Sequence, residues 1–393
     1  MRLWVGQLAA AFGTGVSLIG MPLLVLALTD SPALAGVVAA ARSAPYVVLG
    51  LPAGAVVDRW NRRTLLICCE AARGLAMSSV PVAWLLGVLH PYQLVAAALV
   101  QGVAVAFSNI AQTAALPRLV RREQIAAAQA LNTSSQGVAS LVGPGLGGLV
   151  IALGRTTAEG AVFAYMVDAG TAVVSIGTLV TIHRPFQASR AGAARRLRDD
   201  VAEGLRYLWA DKPVRLLAIV NCVHRACLGP VVVLPVVVFA RQTLGVDPAA
   251  IGLIVGAAGA GGLIGSAATP YLRRYVSVGW MMVGIVLGHG LGIGLVGLAA
   301  GVPLAMAGMA IVGAAEAMTS IVQVSYRLAT IPDELQGRVN SVYRMGSFTA
   351  QTVGTSAAGV LTQVTSPRTA LWLMAAYVLV IGVGVLKSDV RRL

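Results

Sequence analysis

A charged side chain inside a long apolar run is costly, so the chain's few intramembrane-type ionisable residues are the first candidates for chemistry. Glu316 lies about halfway along the apolar run 303–327, with Thr319, Ser320 and Gln323 after it. That i, i+3, i+4, i+7 spacing puts all four on one helical face. A carboxylate so placed can carry a proton or bind a cation; the alternative is neutralisation by a neighbouring arginine. Arg42, near the middle of another run, can hold a substrate anion or pair with Asp168 or Glu316. His224 and Arg225 are further candidates for coupling, since histidine titrates near neutral pH, although an interhelical hydrogen bond is the commoner use of such a histidine. Asp168 belongs to the same set of coupling candidates, against a packing or hydrogen-bonding role. His289 reads as structural, and Glu70 with Arg73 as a local i, i+3 ion pair.

Uncharged polar residues add stripes on other apolar runs: Gln7, Thr14 and Ser17; Gln101, Ser108 and Gln112 with Asn109 alongside; and Asn221, ahead of Pro230 and Pro235. Such faces should point at water or at each other.

The elements that carry these residues are about twelve apolar segments, most long enough to cross a ~30 Å hydrocarbon core as helices. The composition agrees: 57% of residues are hydrophobic and 11% charged, against roughly 25% charged in soluble domains. The runs are continuous rather than alternating, which predicts helices and not a barrel. A formal charge of +14 suggests nucleic-acid binding at first sight. The basic residues, however, sit at segment ends and on one set of loops. Arg59, Arg62, Arg63, Arg118, Arg121, Arg122, Arg273 and Arg274 fall on one side with both termini, while Arg155, Arg241 and Arg368 fall on the other. This predicts an inner-membrane protein with cytoplasmic termini and no nucleic-acid partner. The first run, 3–28, reads as a spanning helix rather than a signal peptide. Cys68, Cys69, Cys222 and Cys227 all lie in apolar segments and read as small buried hydrophobes. No phosphate-binding loop, metal-ligand cluster or cofactor motif is present, so neither an enzyme nor a metal site is expected.

One connection is long. Residues 183–213 contain Leu197, Val201, Leu205 and Leu208 at helical spacing among charges, which predicts an amphipathic helix at the inner surface. It divides the chain into bundles at 1–182 and 214–393. Gly54, Arg62, Arg63 and Glu123 recur as Gly265, Arg273, Arg274 and Glu334, a sign of parallel repeats suited to alternating access.

The loop after the second span reads Gly54-Ala-Val-Val-Asp58-Arg59-Trp60-Asn61-Arg62-Arg63. It resembles the signature loop of the major facilitator superfamily, Gly-x-x-x-Asp-Arg-x-Gly-Arg-Arg/Lys, with Asn61 in place of the middle glycine. The resemblance implies a twelve-helix all-α membrane fold of two pseudo-symmetric six-helix bundles, with this loop as a conformational latch. Gly143-Pro144-Gly145-Leu146-Gly147-Gly148 resembles the Gly-Pro-x-x-Gly-Gly motif of the antiporter branch, with Ala139 where a further glycine is usual. Arg42-Ser-Ala-Pro45-Tyr, residues 117–132, Glu203-Gly-Leu-Arg-Tyr-Leu208 and Gly337-Arg-Val-Asn340 resemble the drug, macrolide and enterobactin exporters, a branch that also holds lysophospholipid transporters. The resemblance implies that the first, fourth, seventh and tenth spans line the substrate cavity.

Two departures bear on coupling. Many drug–proton antiporters carry arginine three residues before Gln-Gly in the fourth span, where this chain has Ala98 before Gln101-Gly102. The acid frequent in their first span is replaced by Gly13-Thr14-Gly15. The expected function is export of an amphipathic small molecule by a monomer, with proton antiport centred on Glu316. A lysophospholipid flippase or uncoupled facilitator is the alternative, and a transport-dead sensor a remote one.

Overall fold

The computed structural model describes residues 2–49, 53, 56–57, 60–119, 125–182, 186, 197–227 and 230–389. Fourteen helices lie among them: α1 Arg2–Thr29, α2 Pro32–Leu49, α3 Arg62–Leu85, α4 Pro91–Leu119, α5 Ile125–Ala152, α6 Thr157–Val180, α7 Leu197–Ala210, α8 Lys212–Arg225, α9 Pro230–Gln242, α10 Pro248–Leu272, α11 Val278–Leu298, α12 Val302–Thr330, α13 Asp333–Val364 and α14 Pro367–Lys387. Several begin on proline, which loses no helical hydrogen bond in the first turn. Side chains close the starts of others: Asp211 accepts from the Val214 amide at 2.9 Å and Asp247 from the Ala250 amide at 2.8 Å.

Ten helices of the described residues are long and apolar enough to cross a membrane. The two remaining expected spans differ from the others for physical reasons. The seventh, expected at 214–240, is split into α8 and α9. Pro230 cannot donate to a continuing helix and disfavours helical geometry in the residue before it. The eleventh, expected at 339–361, is the longer and more polar α13, whose contacts with α2, α7, α8 and α9 give its hydroxyl-rich surface other helices to face.

The packing repeats between the halves. In the first half α1 packs on α5 and α6, α2 and α3 pack on α4, and α3 packs on α6. In the second, α9 packs on α13 and α14, α10 and α11 pack on α12, and α11 packs on α14. Counting α8 and α9 as one span, each pair becomes its counterpart on moving six spans along the chain. The contacts between halves, α2 with α13 and α5 with α10, exchange under the same operation. This is the pseudo-symmetric two-bundle architecture of an all-α membrane protein.

Between bundles there is little hydrophobic gain to be had in lipid, so small residues and polar bonds make the contact. Gly36 and Gly359 let α2 and α13 touch: a Cβ on Gly36 would lie 2.8 Å from the Gly359 Cα. One turn and more along, Thr352 Oγ1 donates to Ser43 Oγ at 2.9 Å, and the Tyr46 and Phe348 rings stack at 4.1 Å. At the loop end, Ser31 Oγ and the Ala33 amide both donate to Gln363 Oε1, at 2.8 and 2.9 Å. Across α5 and α10, a Cβ on Gly148 would lie 2.9 Å from the Gly252 Cα.

The helix α7 is tied to the second half. Glu203 pairs with Arg338 at 2.6 Å, and Leu208 packs with Val214, Val339, Val342 and Tyr343. The apolar face expected from the spacing is thereby divided. Leu208 and Val201 turn inward, whereas Leu205 and Trp209 are 45% and 55% exposed.

The α2–α13 contact generates a direct expectation. The double variant Ser43→Cys/Thr352→Cys should form an interhelical disulfide under mild oxidation, read as a mobility shift after cleavage in the 183–213 connection, and oxidation should arrest transport. Adding Gly36→Val should reduce crosslinking several-fold, because the new methyls meet α13 backbone.

Candidate functional site

In the first half four helices converge on one carboxylate. The i, i+3 spacing on α3 lets Arg73 donate to Glu70 Oε2 through Nε at 3.2 Å and Nη2 at 2.7 Å. Its remaining Nη1 forms an ion pair with Asp168 Oδ1 on α6. The other Asp168 oxygen accepts from Ser17 Oγ of α1 at 2.8 Å and from Gln101 Nε2 of α4 at 3.4 Å. Asp168 is fully buried and Arg73 is 2% exposed. A buried charge is tolerable only when paired and hydrogen-bonded, and this one has both kinds of partner.

Beside this cluster lies a small cavity lined by Ser17, Met21, Arg42, Met77, Ala98, Gln101 and Tyr165. Arg42 is half-buried and makes no hydrogen bond or ion pair with any described residue. Ser17 and Gln101, on the walls of the same cavity, are bonded to Asp168. Both departures noted in the sequence meet here. Gly13 leaves the space that Asp168 occupies, since a Cβ on Gly13 would lie 2.8 Å from Asp168 Oδ1. Ala98, at the position where arginine is usual, lines the same cavity as Arg42.

The second half holds a different arrangement. Glu316 Oε1 on α12 and Arg225 Nη1 at the end of α8 lie 3.3 Å apart, with side chains 34% and 24% exposed. Ser320 is exposed, but the rest of the expected stripe turns inward. Thr319 donates to its own helix at Ala315 O, 2.7 Å away, and Gln323 Oε1 accepts from Tyr343 OH at 2.6 Å. Arg327 lies 3.8 Å over the Tyr343 ring and donates to Asn340 Oδ1 at 3.0 Å. Asn221 donates to Ser347 Oγ at 2.6 Å. His224 is fully buried against His289, ring edge to face at 5.0 Å. It is packed away from the Glu316 pair rather than opening toward solvent beside it.

Of the other expected residues, Gln7, Thr14 and Gln112 are half-buried, Ser108 is buried beside Cys69, and Asn109 donates to Tyr46 OH at 2.5 Å. Gly143 and Gly147 bring α5 onto α1 at Gly15 and Val16, while Gly148 and Pro144 bring it onto α10 at Gly252. Gly54, Asp58 and Arg59 lie outside the described residues. Arg63, from the same loop, donates through Nε to Leu179 O at 3.1 Å and through Nη2 to Val180 O, placing a cation at the C-terminus of α6. No group of three metal-ligating side chains occurs among the described residues. Glu70, Arg73 and Tyr165 were not singled out as site residues by sequence. A mid-span arginine was the available signal, but its i, i+3 partner made it look locally satisfied.

The profile of the transmembrane secretion effectors matches residues 1–393. The chain belongs to this family of the major facilitator superfamily. Its similarity to a multidrug efflux pump, Tap of Mycolicibacterium fortuitum, is 27% identity over 385 residues, covering 96% of this chain and 92% of that protein. The enterobactin exporter EntS of Shigella boydii serotype 4 is 22% identical over 381 residues, covering 97% and 89% of the two chains. The nucleoside transporter NupG superposes with a TM-score of 0.78 at 14% identity, covering 98% of this chain and 97% of that one. This major facilitator is therefore a multi-pass membrane protein of the same fold as solved transporters.

The cluster predicts an asymmetry in stability. Arg73→Met leaves two buried carboxylates uncompensated and should cost about 3–5 kcal/mol, seen as a sharp fall in detergent-solubilised melting temperature. Asp168→Asn keeps an acceptor for Ser17 and leaves Arg73 paired with Glu70, and should cost clearly less. The double variant Arg73→Met/Asp168→Leu should recover part of the Arg73→Met loss.

Proposed function

We propose that this major facilitator exports a small amphipathic organic compound in exchange for protons, by alternating access between bundles at 1–182 and 214–393 joined by 183–213. Family membership and the names of its relatives, a multidrug pump and an enterobactin exporter, support export. The contacts of α2 with α13 and α5 with α10 close the end that carries the turns near 30 and 365. On the arginine distribution we read that end as the outer one, and its closure supports a state that takes substrate from inside.

The observation that carries proton coupling is the burial of Asp168 with Arg73, Glu70, Ser17 and Gln101. This shifts the coupling role from Glu316, the first choice on sequence, to Asp168. Protonating Asp168 removes one of the two carboxylates that hold Arg73 and frees Ser17 and Gln101 to adopt other partners. Four helices of one bundle then lose the charge that ties them together. A change of that kind can alter which packing of the bundles is preferred. Glu316 and Arg225, partly open, suit substrate recognition: a substrate ammonium competes for the carboxylate, and an anionic group competes for the guanidinium.

Proteoliposomes loaded with a pH-sensitive dye and challenged with macrolides, siderophores and lysolipids test this reading. The expected result is proton movement triggered by one compound class, reduced at least about tenfold in Asp168→Asn. Glu316→Gln should retain proton movement but need a several-fold higher substrate concentration. Proton movement undiminished in Asp168→Asn would remove Asp168 from the coupling role. Movement of a compound without protons in the unmodified chain would establish uncoupled or lipid-type transport instead.

A further inference from the structure

Among the described buried and half-buried charged residues of the first half, Arg42 is the one with no hydrogen bond or ion pair to a described residue. Its neighbour in sequence, Ser43, accepts the hydrogen bond from Thr352 of the opposite bundle at 2.9 Å, and Tyr46 stacks on Phe348 one turn further along. Arg42 thus rides on a helix whose position is set by the contact between bundles. Its side chain faces the other way, into a cavity of the first bundle. Two walls of that cavity, Ser17 and Gln101, are the residues that hold the second oxygen of Asp168.

We infer that Arg42 is an exchangeable second counter-ion for Asp168, a positioning residue that links the interbundle contact to the protonation of that carboxylate. The inference rests on the reading of Asp168 as the coupling group. With the outer end closed, Arg73 holds Asp168 and Arg42 stands across the cavity. Release of α13 from α2 frees α2 to shift against α6, and Arg42 moves with it. A guanidinium drawn nearer to Asp168 favours the carboxylate and expels its proton; one drawn away favours the protonated acid. The proton is thus bound or released according to whether the bundles touch at Ser43 and Thr352, and no direct contact between Asp168 and the second bundle is needed.

The surroundings of Asp168 admit this role. The charged and titratable groups facing it are Glu70 and Arg73 from α3, Arg42 from α2, and Tyr165 from α6 itself. From α1 and α4 come the neutral Ser17 and Gln101. With α5, the α6 contact lies at Ile151 and Gly160, about two turns from Asp168. Two arginines and two carboxylates balance, so the cluster tolerates exchange of partners without gaining or losing net charge. Ala98 is the small residue that α4 contributes to the same cavity wall, where α4 packs on α2.

Relocation of the charge tests the inference. The pH dependence of substrate-driven proton movement is measured in proteoliposomes for the unmodified chain, Arg42→Met, Arg42→Lys, the double variant Arg42→Met/Ala98→Arg, and Asp168→Asn. Methionine suits a wall that already holds Met21 and Met77. Removing a cation near a carboxylate lets the acid keep its proton to higher pH. The midpoint should therefore rise by about one pH unit in Arg42→Met, stay in place in Arg42→Lys, and return most of the way in Arg42→Met/Ala98→Arg. An unmoved midpoint in Arg42→Met overturns the inference. So does a raised midpoint that the Ala98 arginine fails to lower, or one that moves in Arg42→Lys. Asp168→Asn separates the two layers: if its pH-dependent limb persists, the coupling role of Asp168 fails. If the limb is lost while Arg42→Met shows no shift, only the role of Arg42 fails.

Discussion

The tie between Arg73 and its two carboxylates is the interaction around which the first half is arranged. Asp168 is fully buried, and a cation and two hydrogen-bond donors converge on it from three other helices, the partners that a buried charge requires. Each helix must then hold a fixed depth and rotation. Ser17 fixes α1, Gln101 fixes α4, and Arg73 fixes α3 with Glu70 completing its fork. Gly13 follows from the same requirement, since any side chain there would take the volume of the carboxylate. Among the described residues the second half has no equivalent. Its buried polar groups pair in smaller sets, Gln323 Oε1 with Tyr343 and Asn340 with Arg327, while the Gln323 amide nitrogen and the His224 ring nitrogens have no hydrogen-bond partner among the described residues, and its ion pair is partly open.

That difference distinguishes halves whose helix packing is otherwise related by symmetry. The charge cluster at Asp168 is closed, and the pair at Glu316 and Arg225 is partly open. Symmetry supplies the scaffold, and the placement of a few charges sets the halves apart. The bundles meet at α2 and α13 through glycine contact, a hydroxyl pair, a stacked ring pair and the bonds to Gln363. Contacts of this kind are individually weak and short-ranged.

Much of the fold was legible from hydropathy because the bilayer imposes length and apolarity on each span. The two spans that length and composition do not identify fail for separate reasons. Pro230 breaks the seventh span, and α13 draws its partners from other helices rather than from lipid, so its polarity is hidden by tertiary structure. The site was legible in residue type but not in grouping. Asp168, Arg42, Ser17 and Gln101 were all visible as polar residues in apolar runs, but on four different segments. Periodicity within one helix joins residues on a face; it says nothing of which faces meet. That limit favoured Glu316, whose stripe is contiguous in sequence, over Asp168, whose partners come from elsewhere. It also concealed Arg73, which a local pair with Glu70 seemed to satisfy.

The two apparent losses relative to the drug–proton antiporter pattern take on a different meaning in space. Read along the chain, Gly13 in the first span and Ala98 in the fourth are missing an acid and an arginine. In the folded protein the volume beside Gly13 holds the carboxylate of Asp168, and the cavity lined by Ala98 is also lined by Arg42. What electrostatics requires is a carboxylate and a guanidinium within reach of one another in a dry site; it is indifferent to which helix delivers them. Small residues at the vacated positions are then part of the arrangement rather than its absence, because a larger side chain at Gly13 would exclude Asp168. A motif scan along one span would miss a site whose charges are delivered by other helices.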